Sequence, residues 1–170
     1  MLNCIIHIHH LFWTMHRKRL YFLLMPFFLL TACYKKKEIK DTTEQKAEMI
    51  AAEISFSEMS KEKGTRAALM QFIDSNGVLL RPNSFPLVGA DAIDFISQSN
   101  DTAYTMIWQP KGGNIAASGE LGYTFGVYSV LPKNKDAAMH GTYVNIWKKQ
   151  ADGSWKLLLD SGNEGIDSGE

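Results

Sequence analysis

Cysteine and histidine are scarce in this sequence. The 170 residues include two cysteines, Cys4 and Cys33, and four of the five histidines lie in the first 16 residues, which leaves His140 alone in the rest of the chain. A protein zinc site takes about three or four ligands, most often cysteine, histidine or carboxylate side chains. We therefore expect no metal site, and we interpret His140 as a surface residue.

Motifs that bind nucleotides or activate a nucleophile are also absent. The sequence has no glycine-rich phosphate loop, no dinucleotide-binding fingerprint and no Gly-x-Ser-x-Gly motif, so we expect no cofactor. It has no excess of positive charge either, since 18 Lys and Arg residues are balanced by 18 Asp and Glu residues. Because a nucleic-acid-binding domain needs a basic face, we expect no nucleic-acid partner.

No apolar run is long enough to cross a membrane as a helix. The segment Leu20–Leu30 contains eleven residues, whereas a membrane span needs about 20. It follows the basic cluster Arg17–Arg19, and a basic stretch before a short apolar core is typical of a cleaved export signal. The alternative is an uncleaved anchor that begins near Ile5, but it would hold three charged residues inside the span, where charge is costly.

Small residues precede a cysteine at the end of this apolar core, in the sequence Leu30-Thr31-Ala32-Cys33. This tetrapeptide resembles the cleavage site of bacterial lipoproteins. The resemblance implies that residues 1–32 are removed and that Cys33 becomes lipidated. Because Met15 and the basic residues after it would form a compact signal start by themselves, residues 1–14 are interpreted as a spurious extension from an upstream start. The lipid bilayer is then a partner, and no thiol is left for a disulfide or a nucleophile. The expected location is the cell envelope. Because Tyr34 is not the aspartate that often retains lipoproteins in the inner membrane, the periplasmic face of the outer membrane is favoured if the cell is Gram-negative.

The rest of the chain is consistent with one α+β domain between two polar ends. Residues 33–41 are interpreted as a lipidated tether, 42–162 as the domain and 163–170 as a flexible tail. Apolar residues recur at helical spacing in the first half, at Met49, Ala52, Phe56 and Met59, and most of the nearby glutamates, Glu53 among them, are assigned to other faces. Helices are predicted from a capping box at Thr42 and Gln45, from Thr65 and after Gly89, with a turn at 74–77.

The second half alternates apolar and polar residues, which predicts strands. Helices followed by a strand meander indicate N-terminal helices packed on a curved antiparallel sheet, whose open end can form a pocket. The turns are placed at Pro110–Gly113 and at Asp152–Gly153. After the short strand 78–80, the predicted strands are 103–109, 114–121, 122–131, 140–149 and 154–160.

Three motifs in the second half carry a family resemblance. They are Gly122-Tyr123-Thr124-x-Gly126-x-Tyr128, Gly141-x-Tyr143-x-x-x-Trp147-Lys148-Lys149-Gln150 and Asp152-Gly153-Ser154-Trp155-Lys156. Together they resemble the end of a SnoaL-like, nuclear transport factor 2-like (NTF2-like) domain of the DUF4440 type, with a cystatin-like cone. The resemblance extends over residues 45–160 and implies a helix-covered cone with a pocket.

The resemblance also implies two kinds of site residue. Isomerases of this superfamily use a pocket carboxylate as base, so Asp74 becomes the candidate catalytic residue. The alternative for Asp74 is an aspartate that only completes a local turn. Candidate pocket walls are the aromatic residues of the strands, which alternation sends either inward or outward, and core packing is the alternative for each of them. These residues are Tyr104, Trp108, Tyr123, Tyr128 and Tyr143.

Three functions stay open at this point. The first is a membrane-anchored module that binds a small, partly apolar molecule without catalysis. The second is a ketosteroid-isomerase-like or other proton-transfer or hydrolytic enzyme, with Asp74 as its base. The third is an interaction module that uses the open face of its sheet to form homodimers or to dock in a complex of the cell envelope.

Overall fold

The computed structural model describes residues 41–134 and 137–165. The predicted signal, Cys33 and nearly all of the tether lie outside these ranges. Within them, no helix combines the length and the apolar character that a bilayer crossing requires. The elements are helices α1 (Thr43–Lys63), α2 (Thr65–Phe72) and α3 (Ala90–Gln98), and strands β1 (Ile73–Leu80), β2 (Leu87–Val88), β3 (Tyr104–Ile115), β4 (Leu121–Pro132), β5 (Met139–Lys149) and β6 (Trp155–Glu164).

The predicted α+β fold is confirmed. The helices pack on a curved, unclosed sheet of six strands in the order β2-β1-β6-β5-β4-β3. Four strand pairs are antiparallel, as expected for a meander, and the β1–β6 pair is parallel. The parallel pair joins the start of the domain to its end, because β6, the last strand, lies beside β1. The predicted tail begins inside β6, which continues to Glu164.

Helix α1 is capped differently from the prediction. The side chain of Thr42 makes no capping hydrogen bond, so the capping box with Gln45 is wrong. The Asp41 carboxylate instead accepts a hydrogen bond from the backbone N–H of Thr43 over 2.9 Å. An aspartate in this position satisfies one of the free N–H groups at the helix start.

Strand β3 is one of the two edge strands of the sheet, and helix α1 covers its free edge. The hydroxyl of Ser57 accepts from the backbone N–H of Trp108 over 2.9 Å and donates to the carbonyl of the same residue over 2.7 Å. The Ser60 hydroxyl donates to the Met106 carbonyl over 2.8 Å. These bonds replace the missing neighbouring strand and protect an edge that would otherwise be open to pairing. They also fix the position of α1 over the sheet.

The core lies between α1 and the inner face of the sheet. Its centre is Phe56, whose ring lies 4.5 Å from the Trp108 ring and 6.0 Å from the Trp147 ring, both nearly edge-on. Met49, Phe56 and Trp147 are almost completely buried. Edge-to-face contacts of this kind add about 0.5–1.5 kcal/mol per pair beyond the burial of the rings.

The turn predicted at 74–77 is wrong, because β1 continues through it as a bulge. Ile73 pairs with Leu157 and Val78 pairs with Leu159, so extra residues of β1 are accommodated between the two pairs. The Asp74 carboxylate accepts from the backbone N–H of Asn76 over 2.9 Å. The turn-forming residues thus bend the strand locally without reversing the chain.

The turn predicted at Pro110–Gly113 is also wrong. Strand β3 continues through these residues with one register shift, and the chain reverses at Ala116–Glu120, where the Gly119 N–H donates to the Ala116 carbonyl over 2.8 Å. A side chain at Gly113 would collide with the carbonyl oxygen of Tyr123 on β4. This glycine is therefore required by the close approach of two strands and not by a turn.

Candidate ligand cavity and the buried carboxylate behind it

A cavity of about 500 Å³ lies between the end of α1, α2, α3 and the inner face of the sheet. Its floor consists of buried residues, among them Phe56, Trp108 and Tyr143, and its rim contains exposed ones, such as Arg66 and Glu164. This volume falls in the range of small-molecule sites, which are mostly apolar with a few placed polar groups. Six aromatic side chains contribute to the wall: Phe56, Phe95, Tyr104, Trp108, Tyr128 and Tyr143.

The structure places four of the five candidate wall residues in the lining of this cavity and the fifth elsewhere. Tyr104, Trp108, Tyr128 and Tyr143 line it. Tyr123 lies on the opposite face of the sheet, where it is 44% exposed and its ring stacks against Phe125 at 6.5 Å. The difference follows from strand alternation, because odd-numbered residues of this part of β4 point outward and even-numbered ones point inward.

Asp74 does not line the cavity. It is buried at the start of β1, where its Oδ1 accepts from Asn76 and its Oδ2 accepts from the Gln150 amide over 2.9 Å. Both carboxylate oxygens therefore have partners that brace the bulge of β1 against the β5–β6 turn. A general base must reach the proton that it removes, and the cavity lining contains no atom of this residue.

A different acid, Glu53 of α1, is the centre of the largest hydrogen-bond network in the part of the chain that the structure describes. It is completely buried. Its Oε1 accepts from the indole Nε1 of Trp108 over 2.5 Å, and its Oε2 accepts from the indole Nε1 of Trp147 over 2.7 Å. The Asn145 amide donates to both oxygens, at 3.0 and 3.2 Å, and the Thr124 hydroxyl donates to Oε2. Donors from β3, β4 and β5 thus converge on one carboxylate.

Burial raises the pKa of the Glu53 carboxyl above its ordinary value, and the hydrogen bonds from Thr124, Trp147, Asn145 and Trp108 oppose this effect. Desolvation disfavours the charged form, while donors aimed at the oxygens favour it. Nearby, burial and then the negative charge of Glu53 raise the pKa of the Tyr143 phenol well above its usual range. The charge of Glu53 therefore affects the phenol of Tyr143, a residue of the cavity wall.

Two buried polar atoms beside this network have no hydrogen-bond partner among the residues described. They are the Tyr143 hydroxyl and the Oδ1 atom of Asn145. Both residues line the cavity. Buried polar groups are rarely left unpaired, and each such group calls for an explanation. Here the two unpaired atoms belong to residues of the cavity lining, although the atoms themselves are buried.

The sequence analysis missed Glu53, although the spacing contained the signal. Met49, Glu53, Phe56 and Ser60 are separated by four, three and four residues, which places them on one helical face. All four are buried. A glutamate is almost never fully buried without partners, so Glu53 was assigned to another face of α1. That assignment is wrong, because Glu53 is buried. Two tryptophans, Trp108 on β3 and Trp147 on β5, are among the partners that this buried glutamate needs.

The rim of the cavity carries both signs of charge. The Arg81 Nη1 lies 2.5 Å from Oδ1 of Asp160 in an ion pair that is partly exposed to solvent. Arg66 and Glu164 are exposed on the same rim. Across residues 41–134 and 137–165, no group of three or more His, Cys, Asp or Glu side chains is placed to hold a metal ion.

The comparisons with known proteins support the fold. No protein-family model matches the chain, and no curated protein sequence matches it. Among solved structures it is similar to a ketosteroid isomerase-like protein from Erwinia carotovora atroseptica SCRI1043, with a TM-score of 0.58 and 18% identity over 74% of this chain and 99% of that one.

Two further solved structures have the same architecture. An NTF2-like protein with a cystatin-like fold from Novosphingobium aromaticivorans has a TM-score of 0.58 and 12% identity over 74% of this chain and 84% of that one. An NTF2-like superfamily protein from Salmonella enterica serovar Typhimurium LT2 has a TM-score of 0.55 and 12% identity over 75% and 96%. The domain therefore has the NTF2-like fold. Because a fold hosts many functions, the function must be argued from the cavity.

Proposed function

We propose that this protein binds a small, partly apolar molecule in the cavity of its NTF2-like domain and performs no chemistry on it. The observation that carries the proposal is the cavity itself, about 500 Å³ with a wall rich in aromatic side chains. A pocket of this kind is the default ligand site of a small domain.

The state of three acidic residues, Asp160, Glu53 and Asp74, supports binding over proton transfer. Asp160 is paired with Arg81, and Glu53 is enclosed by donors behind the floor. Asp74, the base in the alternative enzymatic function, has both oxygens occupied and lies outside the lining. A carboxylate that serves as a base needs an accessible oxygen in contact with substrate, and the geometry offers none of these three in that role.

A cavity-filling substitution tests the proposal. Val130 lines the cavity from β4, whereas Val144 of β5 faces outward and is 40% exposed. We expect Val130→Phe to abolish the binding of a ligand that co-purifies with the wild-type protein, measured by native mass spectrometry, and Val144→Phe to leave it intact. Equal retention of the ligand by both variants, or a wild-type protein that retains no small molecule and binds none from a fragment library, would overturn the proposal.

The proposal includes the location of the protein. We infer that the chain is a lipoprotein of the cell envelope, anchored through an acylated Cys33, and the support is the order of basic cluster, apolar core and Leu30-Thr31-Ala32-Cys33. Two acyl chains suffice for stable membrane anchoring. Residues 33–41 would then form the lipidated tether, and the periplasmic face of the outer membrane is the proposed site in a Gram-negative cell.

A specific surface favours homodimerisation as a second property. The outer face of the sheet exposes Leu121, Tyr123 and Phe125 on β4 and Val144 on β5, each with 40% or more of its surface accessible. Phe125 and Val144 are direct cross-strand partners, so these four residues form a continuous apolar patch. Contiguous exposed apolar patches commonly mark protein–protein contacts. We infer that a second copy of this chain covers the patch.

A further inference from the structure

The buried carboxylate of Glu53 has no counter-charge in the part of the chain that the structure describes. The hydrogen bonds that it accepts there come from neutral groups: two indoles, an amide and a hydroxyl. Neither of the ion pairs formed within residues 41–134 and 137–165 includes it. Indole and amide N–H groups can only donate, so the surroundings of Glu53 are built for an acceptor-only, ionised carboxylate. Above its raised pKa, this carboxylate is a buried negative charge without a cationic partner among the residues described.

This charge lies directly behind the cavity floor. Trp108 and Asn145 contact Glu53 with their N–H groups, and the same two residues line the cavity. One layer of side chains therefore separates the carboxylate from the space that a ligand would occupy. Because the interior has a low effective dielectric constant and little salt, the charge is only weakly screened over such a distance.

The wall of the cavity adds a second attraction for positive charge. The faces of Trp, Tyr and Phe rings carry negative potential and attract ammonium groups, tryptophan most strongly. Six aromatic residues surround the cavity. At the rim, Arg81 is neutralised by Asp160, and Arg66 is balanced in number by Glu164. With Glu53 ionised, the charged groups in and directly behind the cavity lining therefore sum to about −1, and the excess charge lies at the buried end.

We propose that the ligand is an organic cation, an ammonium group on an apolar body, with the charged end against Trp108 and Tyr143 at the cavity floor. This assignment rests on the proposed function of the cavity as a binding site and names the chemical class that it takes. The ligand would supply the counter-charge that Glu53 lacks within the protein.

Matched probes test the assignment on the folded domain. Benzyltrimethylammonium and its uncharged carbon isostere neopentylbenzene have the same shape, and benzenesulfonate carries the opposite charge. We expect the ammonium probe to bind about threefold or more tightly than the isostere, although the isostere is more hydrophobic, and benzenesulfonate to bind at least about tenfold more weakly. Binding is measured by ligand-observed NMR with competition.

Two glutamate variants of α1 locate the source of the preference. Glu53→Gln removes the charge and keeps the size, and Glu58→Gln makes the same change at an exposed position of the same helix. We expect Glu53→Gln to weaken the ammonium probe about tenfold and to leave the isostere within about twofold, and Glu58→Gln to change neither. If Glu53→Gln does not fold, the comparison of the three probes on the wild-type protein is by itself the test of the assignment.

The outcomes separate this inference from the proposed function. If the isostere binds as tightly as the ammonium probe, or if Glu53→Gln weakens both probes equally, the inference fails while the cavity remains a binding site. If none of the probes binds and Val130→Phe has no effect on any retained ligand, the proposed function fails as well. A preference of the wild-type protein for the ammonium probe supports both, and where Glu53→Gln folds, the loss of that preference identifies Glu53 as its source.

Discussion

The indole Nε1 of Trp147 donates to Oε2 of Glu53 over 2.7 Å, across 94 residues of sequence. This bond connects the first helix to the fifth strand, and the Trp108 bond connects the same carboxylate to the edge strand β3. One side chain thus links three elements that are distant in the sequence. Removing one member of such a network leaves its neighbours buried without their partners, which costs more than a single exposed hydrogen bond.

The first prediction concerns the loss of the Glu53 charge. Glu53→Gln replaces one acceptor oxygen with an NH₂ group, and because donors approach both oxygens, the new NH₂ must face another donor. We expect a loss of about 2–4 kcal/mol in the free energy of unfolding, measured by urea denaturation at pH 7. The exposed control Glu58→Gln should stay within about 0.5 kcal/mol of wild type, and a similar small effect of Glu53→Gln would contradict the role of the network.

The second prediction concerns the pH dependence of stability. Since the pKa of Glu53 is raised in the folded state, the native protein holds the proton more tightly than the unfolded chain. Its contribution is therefore fully present below the unfolded pKa of about 4.5 and is lost as the pH rises through the folded pKa.

This contribution is best measured as a difference between two proteins. The groups that contact Glu53 from β3, β4 and β5 are Trp108, Thr124, Asn145, Trp147 and the neutral phenol of Tyr143, so none adds a titration of its own near neutral pH. Other carboxylates cancel in the comparison with Glu53→Gln. The stability advantage of wild type over the variant should shrink as the pH is raised from 4.5 in urea titrations, and an advantage that grows with pH would show that the folded pKa is lowered.

The third prediction compares two tyrosines of the cavity wall. The Tyr143 hydroxyl is buried and has no hydrogen-bond partner among the residues that the structure describes, whereas the Tyr128 hydroxyl donates to the Asn163 carbonyl over 3.3 Å. We expect Tyr143→Phe to leave the free energy of unfolding unchanged or to raise it by about 1 kcal/mol, and Tyr128→Phe to lower it by about 0.5–1.5 kcal/mol. Thermal denaturation of the two variants side by side measures this. Greater destabilisation by Tyr143→Phe would mean that its hydroxyl has a partner in solution.

The sequence predicted the parts of this fold that depend on local patterns. Strand alternation in residues 122–131 and 140–149 corresponds to β4 and β5, and Asp152–Gly153 forms the expected turn before β6. The prediction from the sequence was wrong where a glycine is required by contact with a strand that is distant in the sequence. Gly113 looks like part of a turn, but it exists because β4 passes too close for a side chain.

The candidate site was predictable only in part, for a related physical reason. Aromatic residues on strands are visible in the sequence, and alternation limits which of them point inward. The partners of Glu53 are not visible, because they come from 55 to 94 residues away. A buried acid therefore looks like a surface acid until the sheet places two indoles, an amide and a hydroxyl around it. Likewise, the bonds that occupy both oxygens of Asp74 include one from Gln150, 76 residues away.

The fourth prediction concerns the apolar patch on the outer face of the sheet. If a second copy covers Leu121, Tyr123, Phe125 and Val144, then Phe125→Lys places a charge in the interface and should convert the dimer to a monomer. Sedimentation velocity at micromolar concentration measures the state. Phe85→Lys is the control, since Phe85 is 91% exposed in the loop between β1 and β2, and it should not change the mass. A wild-type protein that is monomeric at these concentrations would contradict the proposal.

The fifth prediction concerns Cys33. If its sulfur carries the lipid, Cys33→Ala removes the anchor, and the protein should move from the membrane fraction to the soluble fraction after cell lysis and ultracentrifugation. Cys4→Ala is the matched control, because Cys4 lies in the segment that the signal peptidase would discard. It should leave the protein in the membrane fraction with the same mass.

Metabolic labelling with an alkyne fatty acid separates lipidation from other causes of sedimentation. If Cys33 is the acylated residue, the label should appear on wild type and on Cys4→Ala and be absent from Cys33→Ala. Two acyl chains are expected, because a single chain gives only marginal membrane binding and two give stable binding. A Cys33→Ala protein that still sediments with membranes and keeps residues 1–32 would instead identify Leu20–Leu30, together with the residues before it, as an uncleaved anchor. In that case the cysteine would be unrelated to the location, and the proposed two-chain anchor would be wrong.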